Sequence, residues 1–282
     1  MTLDLDAYWS RIGWRPDAGG TGPSEAQLHA LALAHVQRVP FENLDVLLGR
    51  GVSIDPDAVF DKLVRRRRGG YCFEQNTLLH RVLSSLGYDA ELLSARVRLG
   101  RGRDVTPART HVLNRVRLGG VSYLLDVGVG GLSPTFALRL APGEQRRTHE
   151  PRRLVWEGDW AGEARGPEAR IFHQVALDGA WQDVCELTLE RSHPVDREVG
   201  NWYTSRHPKS HFLDKLTVAR ATPGGRVTLL NRRLTVRDGD AVRVEELPTP
   251  QALVGALRDR FGIELPEHEA RSLPALDWQP DQ

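Results

Sequence analysis

Of the two cysteines in this chain, Cys72 stands where a thiol could act as a nucleophile. It lies in RRRRGGYCFEQN, residues 65–76. Gly69-Gly70 permits a tight turn with unusual dihedrals. The apolar spacing that follows predicts a helix starting near Cys72. The partial positive charge of a helix N-terminus favours the thiolate, the reactive form of cysteine. Free N–H groups in the first turn suit a developing oxyanion. The plainer reading of Cys72 is a small buried apolar residue. Cys185, in DVCELTLE, alternates with apolar residues and reads as part of a strand core.

A thiolate nucleophile needs a base, and ten histidines are available. The choice falls on His111 through register. HVLNRVRL and VSYLLDV flank Gly119-Gly120, a two-residue hairpin signal. With those glycines as the turn, Leu118 pairs with Val121 and Leu113 faces Asp126. His111 then shares a face with Asp126 and lies diagonally across from it, within side-chain reach. The other face carries Val112, Val116, Leu118, Val121, Tyr123, Leu125 and Val127, a credible core face. A carboxylate behind an imidazole fixes its tautomer and stabilises its protonated form. An exposed cross-strand His–Asp pair is the bland alternative.

The elements that must position these residues follow from periodicity. The first ninety residues read as helical. Ser24 can cap a helix carrying Leu28, Leu31, Leu33 and Val36, ended by Pro40. Asp57 to Arg67 reads as a second helix. Leu78, Leu79, Val82, Leu83 and Leu86 give the third, which stops at Gly87. From Ala90 the period changes to two, and strands separated by Gly, Pro and Asp follow. PQALVGALRDRFGI is a last helix, with Thr249 as its cap, Pro250 at its first position and Gly262 at its end.

Bulk composition narrows the partners. The 282 residues carry 38 basic against 37 acidic side chains, a net +1, unlike the basic footprint of a nucleic-acid binder. No apolar run approaches a membrane span, and MTLDLDAYWSRIGW does not resemble a signal peptide. Two cysteines in so long a chain argue against a disulfide framework. The expectation is a reduced, cytoplasmic protein with no nucleic-acid or membrane partner.

RVPFENLD (38–45), RGGYCFEQN (68–76), THVLNRV (110–116), LLDVGVGG (124–131) and NWYTSRHPKSHF (201–212) together resemble the arylamine N-acetyltransferase family. The match preserves order and spacing over most of the chain. The resemblance implies an α+β fold with a papain-like cysteine-triad core: a helical bundle over 1–89, a β-barrel over 90–205 and an α/β lid over 206–282. It implies a Cys72–His111–Asp126 triad working by ping-pong chemistry. The thiolate takes an acetyl group from acetyl-CoA, and an arylamine, arylhydroxylamine or hydrazine then accepts it. It puts Phe41 in the acceptor pocket and pairs Glu42 with Arg68 as structural support for the cysteine loop. Thr110, Gly128, Gly130 and Gly131 line the path of CoA. VGVGG after a strand exposes backbone N–H groups and leaves space for pantetheine or pyrophosphate. A homodimer is left open.

One position departs from the pattern. Family members usually have Asp-x-Gly-Phe-Gly, whereas this chain has Val129 between Gly128 and Gly130. An aromatic wall of the acceptor site is lost, which brings in a second reading, an amide synthase of the same fold closing a macrolactam from a polyketide thioester. A cysteine hydrolase and a non-catalytic binding module are the readings from other classes. Arg65 to Arg68 read as a solvated helix end with one structural arginine. His207-x-x-x-His211 lacks the glutamate of a helical zinc site and is interrupted by Pro208, so no metal is expected.

Overall fold

The computed structural model of the chain describes residues 3–16, 22–147, 149–158, 160–161, 164–165 and 169–278. Helices α1 (Leu5–Ile12), α2 (Glu25–Arg38), α3 (Leu44–Leu47), α4 (Pro56–Phe60) and α5 (Cys72–Ser85) make up the N-terminal part, interrupted by a short strand β1 (Phe41–Glu42). Each start has a physical cause. Ser24 Oγ accepts from Gln27 N–H and caps α2, and Asp55 caps α4 through Asp57 and Ala58 N–H ahead of Pro56. The helix read over Asp57–Arg67 is α4 running into a π-helical turn, Asp61–Arg65, and its exit bends through Arg67 at φ 53°.

Strands β2 (Asp89–Val97), β3 (His111–Leu118), β4 (Val121–Leu125), β5 (Leu138–Arg139), β6 (Gly143–Gln145), β7 (Arg152–Glu157), β8 (Trp160–Ala161), β9 (Ala164–Arg165), β10 (Arg170–Leu177) and β11 (Ala180–Arg191) follow. Eight of them form one antiparallel sheet in the order β5-β4-β3-β2-β11-β10-β7-β6. Leu138 and Leu154 from its two ends share one core with Leu93, Leu113, Ile171 and Leu187, so the sheet curls towards a barrel. Its outer face packs on the helices, with Val116, Tyr123 and Leu125 joining Leu79, Val82 and Leu83 of α5.

Helix α6 (Pro194–Arg206) leads to strands β12 (Thr217–Thr222), β13 (Gly225–Leu230), β14 (Arg233–Asp238) and β15 (Ala241–Glu246), then to helices α7 (Pro250–Ala256) and α8 (Glu267–Ser272). Thr249 Oγ1 accepts from Ala252 N–H, and Gly262 closes the segment at φ 69°. The second sheet has the order β1-β12-β13-β14-β15, so its first strand comes from the N-terminal part: Phe41 pairs with Ala219 and Glu42 with Val218. Leu44 and Leu47 of α3 share a core with Leu253, Leu257 and Phe261. Sequence periodicity reveals neither the two-residue β1 nor α6, whose NWYTSR stretch has little apolar rhythm.

Candidate active site

Cys72 is the first residue of α5, two residues beyond the Gly69-Gly70 step. The glycines serve close approach rather than left-handed geometry, since neither has positive φ. A Cβ on Gly69 would sit 2.2 Å from Pro40 O, and one on Gly70 2.6 Å from a Glu74 carboxylate oxygen. That carboxylate accepts the Tyr71 N–H at 3.0 Å, just ahead of the helix. A ladder of charges fixes it in turn. Lys62 Nζ lies 2.7 Å from both Glu74 and Asp45, and Arg68 lies 3.3 Å from Asp45 and 2.7 Å from Glu42. Glu42 then accepts Leu44 N–H at 2.8 Å. The Glu42–Arg68 pair expected from sequence is therefore one rung of a longer support.

A second chain of bonds reaches the same loop from α1. Gln75 donates both amide hydrogens, to Pro40 O (3.1 Å) and Gly70 O (2.8 Å), which leaves its carbonyl to accept from His35 Nε2 at 3.1 Å. His35 Nδ1 therefore accepts from the Tyr8 hydroxyl at 2.8 Å. Burial drives the His35 imidazole down to about 3, so it is neutral as this pattern requires.

The β3–β4 hairpin closes on Gly119 (φ 57°) and Gly120 (φ 78°), with Leu118 opposite Val121 and Asn114 opposite Leu125. Two positive φ values in a row suit the turn that matches strand twist. Continuing this register puts Asp126 across from Leu113, and His111 Nε2 meets Asp126 Oδ2 at 2.7 Å. The pair is not exposed: His111 is 1 % and Asp126 3 % accessible. The strand is buried on both faces, with Val112 and Val116 towards the helices and Leu113 inside the curled sheet. Two buried faces were not anticipated from a strand whose alternation reads as one core face.

Asp126 has further partners, among them Asn76, to which the sequence assigns no role. Asn76 Nδ2 donates to Asp126 Oδ1 at 3.0 Å and to Val112 O at 2.7 Å, while Asn76 Oδ1 accepts Val127 N–H at 3.1 Å. Gly128 N–H also donates to Asp126 Oδ1, at 3.0 Å. The signal for Asn76 was available: it lies four residues after Cys72 on α5, hence on the same helix face. Burial opposes charge on Asp126, but the imidazole, Asn76 and the Gly128 amide hold it below the usual carboxylate range. Burial likewise opposes charge on His111, yet Asp126, followed by the Cys72 sulfur, lifts it to about 10. The imidazolium is thus the favoured form at neutral pH, with the Cys72 sulfur as its other neighbour. Cys72 Sγ also lies 3.6 Å from Thr110 O.

Gly128 packs directly on the cysteine, since a Cβ there would lie 2.7 Å from Cys72 Cα. The glycine loop does not present all its amides to a ligand. Gly128 N–H is committed to Asp126, and Val129 N–H to Ser133 Oγ at 3.1 Å. Gly130, at φ 75°, lies against the Phe41 ring. Val129 joins Val175 and Val184 in a small apolar cluster.

Cys72, His111, Thr110, Phe41, Val129, Gly128, Gly130 and Gly131 all border one cavity of about 440 Å³. That volume suits a small organic molecule. Its remaining aromatic walls are Tyr203 and Phe212, and Arg101, Lys209 and Lys215 add positive charge. A buried cysteine, a histidine and a carboxylate beside such a cavity can carry out nucleophilic acyl transfer. His207 stacks on Tyr203, and His211 lies on the cavity wall. Among the described residues no group of three or more His, Cys, Asp or Glu is placed to hold a metal ion, and no helix is long and apolar enough to cross a membrane.

The N-acetyltransferase family model matches residues 26–270. An arylamine N-acetyltransferase of Mycolicibacterium smegmatis is 41% identical, covering 98% of this chain and 97% of that protein. A solved structure of the M. smegmatis arylamine N-acetyltransferase superposes with a TM-score of 0.87 at 40% identity, covering 98% and 99% of the two chains. The Mycobacterium marinum arylamine N-acetyltransferase, solved in complex with CoA, gives a TM-score of 0.87 at 36% identity over 97% and 100%.

Proposed function

The chain belongs to the arylamine N-acetyltransferase family, and from that premise we propose that it acetylates arylamines, arylhydroxylamines or hydrazines from acetyl-CoA through an acetyl-Cys72 intermediate. The observation that carries this reading is the His111–Asp126 contact at 2.7 Å beside a cysteine at a helix start. The CoA complex of the M. marinum relative supports the choice of donor.

In the first half-reaction the Cys72 thiolate attacks the acetyl carbon, and first-turn N–H groups of α5 face the oxyanion that forms. The C–S bond to CoA breaks, and His111 gives its proton to the departing sulfur. CoA leaves as a thiol and His111 is left neutral. In the second half-reaction the acceptor nitrogen attacks the acetyl carbon, and His111 takes a proton from it. Cys72 departs as thiolate, so the state from which the first half-reaction began is restored. Asp126 holds the ring by its Nε2, which leaves Nδ1 to exchange the proton, and it stabilises the charged ring before the first step and after the second. Arg101, Lys209 and Lys215 supply charge for the CoA phosphates, and Phe41, Tyr203 and Phe212 an aromatic bed for the acceptor.

Steady-state rates with varied acetyl-CoA and a simple arylamine test the two-step course. Parallel double-reciprocal lines are expected. Intersecting lines, or no turnover of acetyl-CoA alongside acylation by bulky thioesters, would count against it; the latter result favours the amide-synthase reading that Val129 suggests.

A further inference from the structure

Inside the curled sheet, behind His111 and Asp126, lies a second set of polar groups that the proposed chemistry does not use. Arg152, the first residue of β7, is 0 % accessible. A guanidinium taken fully out of water is costly unless its hydrogens find acceptors. Its shortest bond runs from Nη1, which donates to His173 Nε2 at 3.0 Å. Arginine can only donate, so His173 carries its hydrogen on Nδ1 and is neutral. That hydrogen faces Cys185 Sγ at 3.9 Å. The other branch, Nη2, reaches Ser133 O at 3.4 Å, with Glu150 at 3.9 Å. Nε is buried with no partner among the described residues. A site chosen for stability alone gains little from so incompletely bonded a cation.

Ser133 connects this cation to the cavity. Its carbonyl also accepts from Arg226 Nη1 at 2.9 Å, and Arg226 is itself clamped by Glu150 through two bonds of 2.7 Å. Its hydroxyl accepts Val129 N–H at 3.1 Å. Val129 follows Gly128, the residue that packs on Cys72 Cα. A continuous path therefore runs Arg152–Ser133–Val129–Gly128–Cys72. Four consecutive residues, Gly128 to Gly131, border the cavity at this point.

We infer that Arg152 is a positioning residue for acyl transfer: from inside the barrel it holds Ser133, and through it the 128–131 loop, at the height over Cys72 that the donor thioester needs. The inference rests on Cys72 acylation by acetyl-CoA as proposed above. It acts on the placement of the donor and leaves the thiolate itself alone.

Two rates separate these effects. Cys72 alkylation by iodoacetamide reports the thiolate, and its acetylation by saturating acetyl-CoA, followed by intact mass, reports the placed donor. Acetylation of the unaltered protein tests the underlying reading by itself; the ratio of the two rates in the variants tests this one. In Arg152→Met, acetylation is expected to fall at least tenfold with alkylation within threefold of the unaltered protein, and Arg152→Lys should recover most of the loss. Ser133→Ala, which removes one hydroxyl from a folded loop, should lower acetylation at least fivefold with alkylation unchanged. It decides the matter where Arg152→Met does not fold. Unchanged acetylation in Ser133→Ala, or parallel loss of both rates in the variants, overturns the assignment.

Discussion

At the scale of single residues, the site depends on where Asp126 points. Three donors converge on it: His111 Nε2, Asn76 Nδ2 and Gly128 N–H. Asp126→Asn keeps the shape but offers the imidazole an amide, which disturbs its tautomer. The acylation rate is expected to fall far more than tenfold, with the circular dichroism spectrum unchanged; a tenfold loss corresponds to only about 1.4 kcal/mol of barrier. The pair also leaves a signature in stability. The Asp126 carboxyl is held low, so its contribution is present above the usual carboxylate range and lost as pH falls. The His111 imidazolium is held up to about 10, so its contribution is complete below the ordinary imidazole range and lost as pH rises through about 10. The melting-temperature gap between the unaltered protein and Asp126→Asn should therefore be widest near pH ~5–6 and shrink towards both extremes. A gap that is flat with pH would remove the ion pair from the account.

At the scale of elements, α5 and the β3–β4 hairpin meet along one line of contact, with Gly128 at its end. A methyl group there would need space that Cys72 Cα and Asn76 Nδ2 occupy at 2.7 and 2.8 Å. Gly128→Ala is expected to cost about 1–3 kcal/mol in denaturant titration, the usual range for overpacking, and to slow Cys72 alkylation. A variant as stable and as reactive as the original would mean that the loop yields freely. The hairpin register was legible because two glycines admit one tight turn and side chains alternate strictly. The start of α5 was legible from its apolar spacing. The reason for Gly69-Gly70 was not, because close approach to Pro40 and Glu74 depends on a partner segment that periodicity does not reveal. Nor was the burial of His111: alternation identifies the face packed on the helices, while the interior of a curled sheet can hold Arg152, His173 and Asp126 as well as leucines. The residues Asp45, Lys62 and Glu74 stayed hidden for the same reason, being charged side chains that only the tertiary fold pairs.

At the scale of the whole molecule, the helical part, the barrel-like sheet and the C-terminal sheet share walls. Phe41 pairs in the C-terminal sheet, borders the cavity and packs 6.0 Å from Phe212. The C-terminal residues Leu253, Leu257, Phe261, Ile263, Leu265 and Leu273 are buried in one core with Leu44 and Leu47 of α3 and with Val218 and Leu229 of the second sheet. At about 1.5–3 kcal/mol for each large apolar side chain, their removal rivals the ~5–15 kcal/mol total stability of a typical protein. A chain ending before Pro250 is expected to lose its cooperative melt and the selective reactivity of Cys72 together. Retention of both would show that the C-terminal part is an appendage. The family resemblance was legible at this scale, because its motif blocks span residues 38–212 in order. The way β1 stitches the first part to the last was not, because a two-residue strand has no period to detect.

In the proposed reaction Cys72 carries the acyl group. Incubation with acetyl-CoA alone, followed by intact mass and peptide mapping, tests it most directly. One added acetyl group on the peptide containing Cys72 is expected, absent in Cys72→Ala and discharged by an arylamine or hydrazine. No adduct, or the same adduct in Cys72→Ala, would contradict the account.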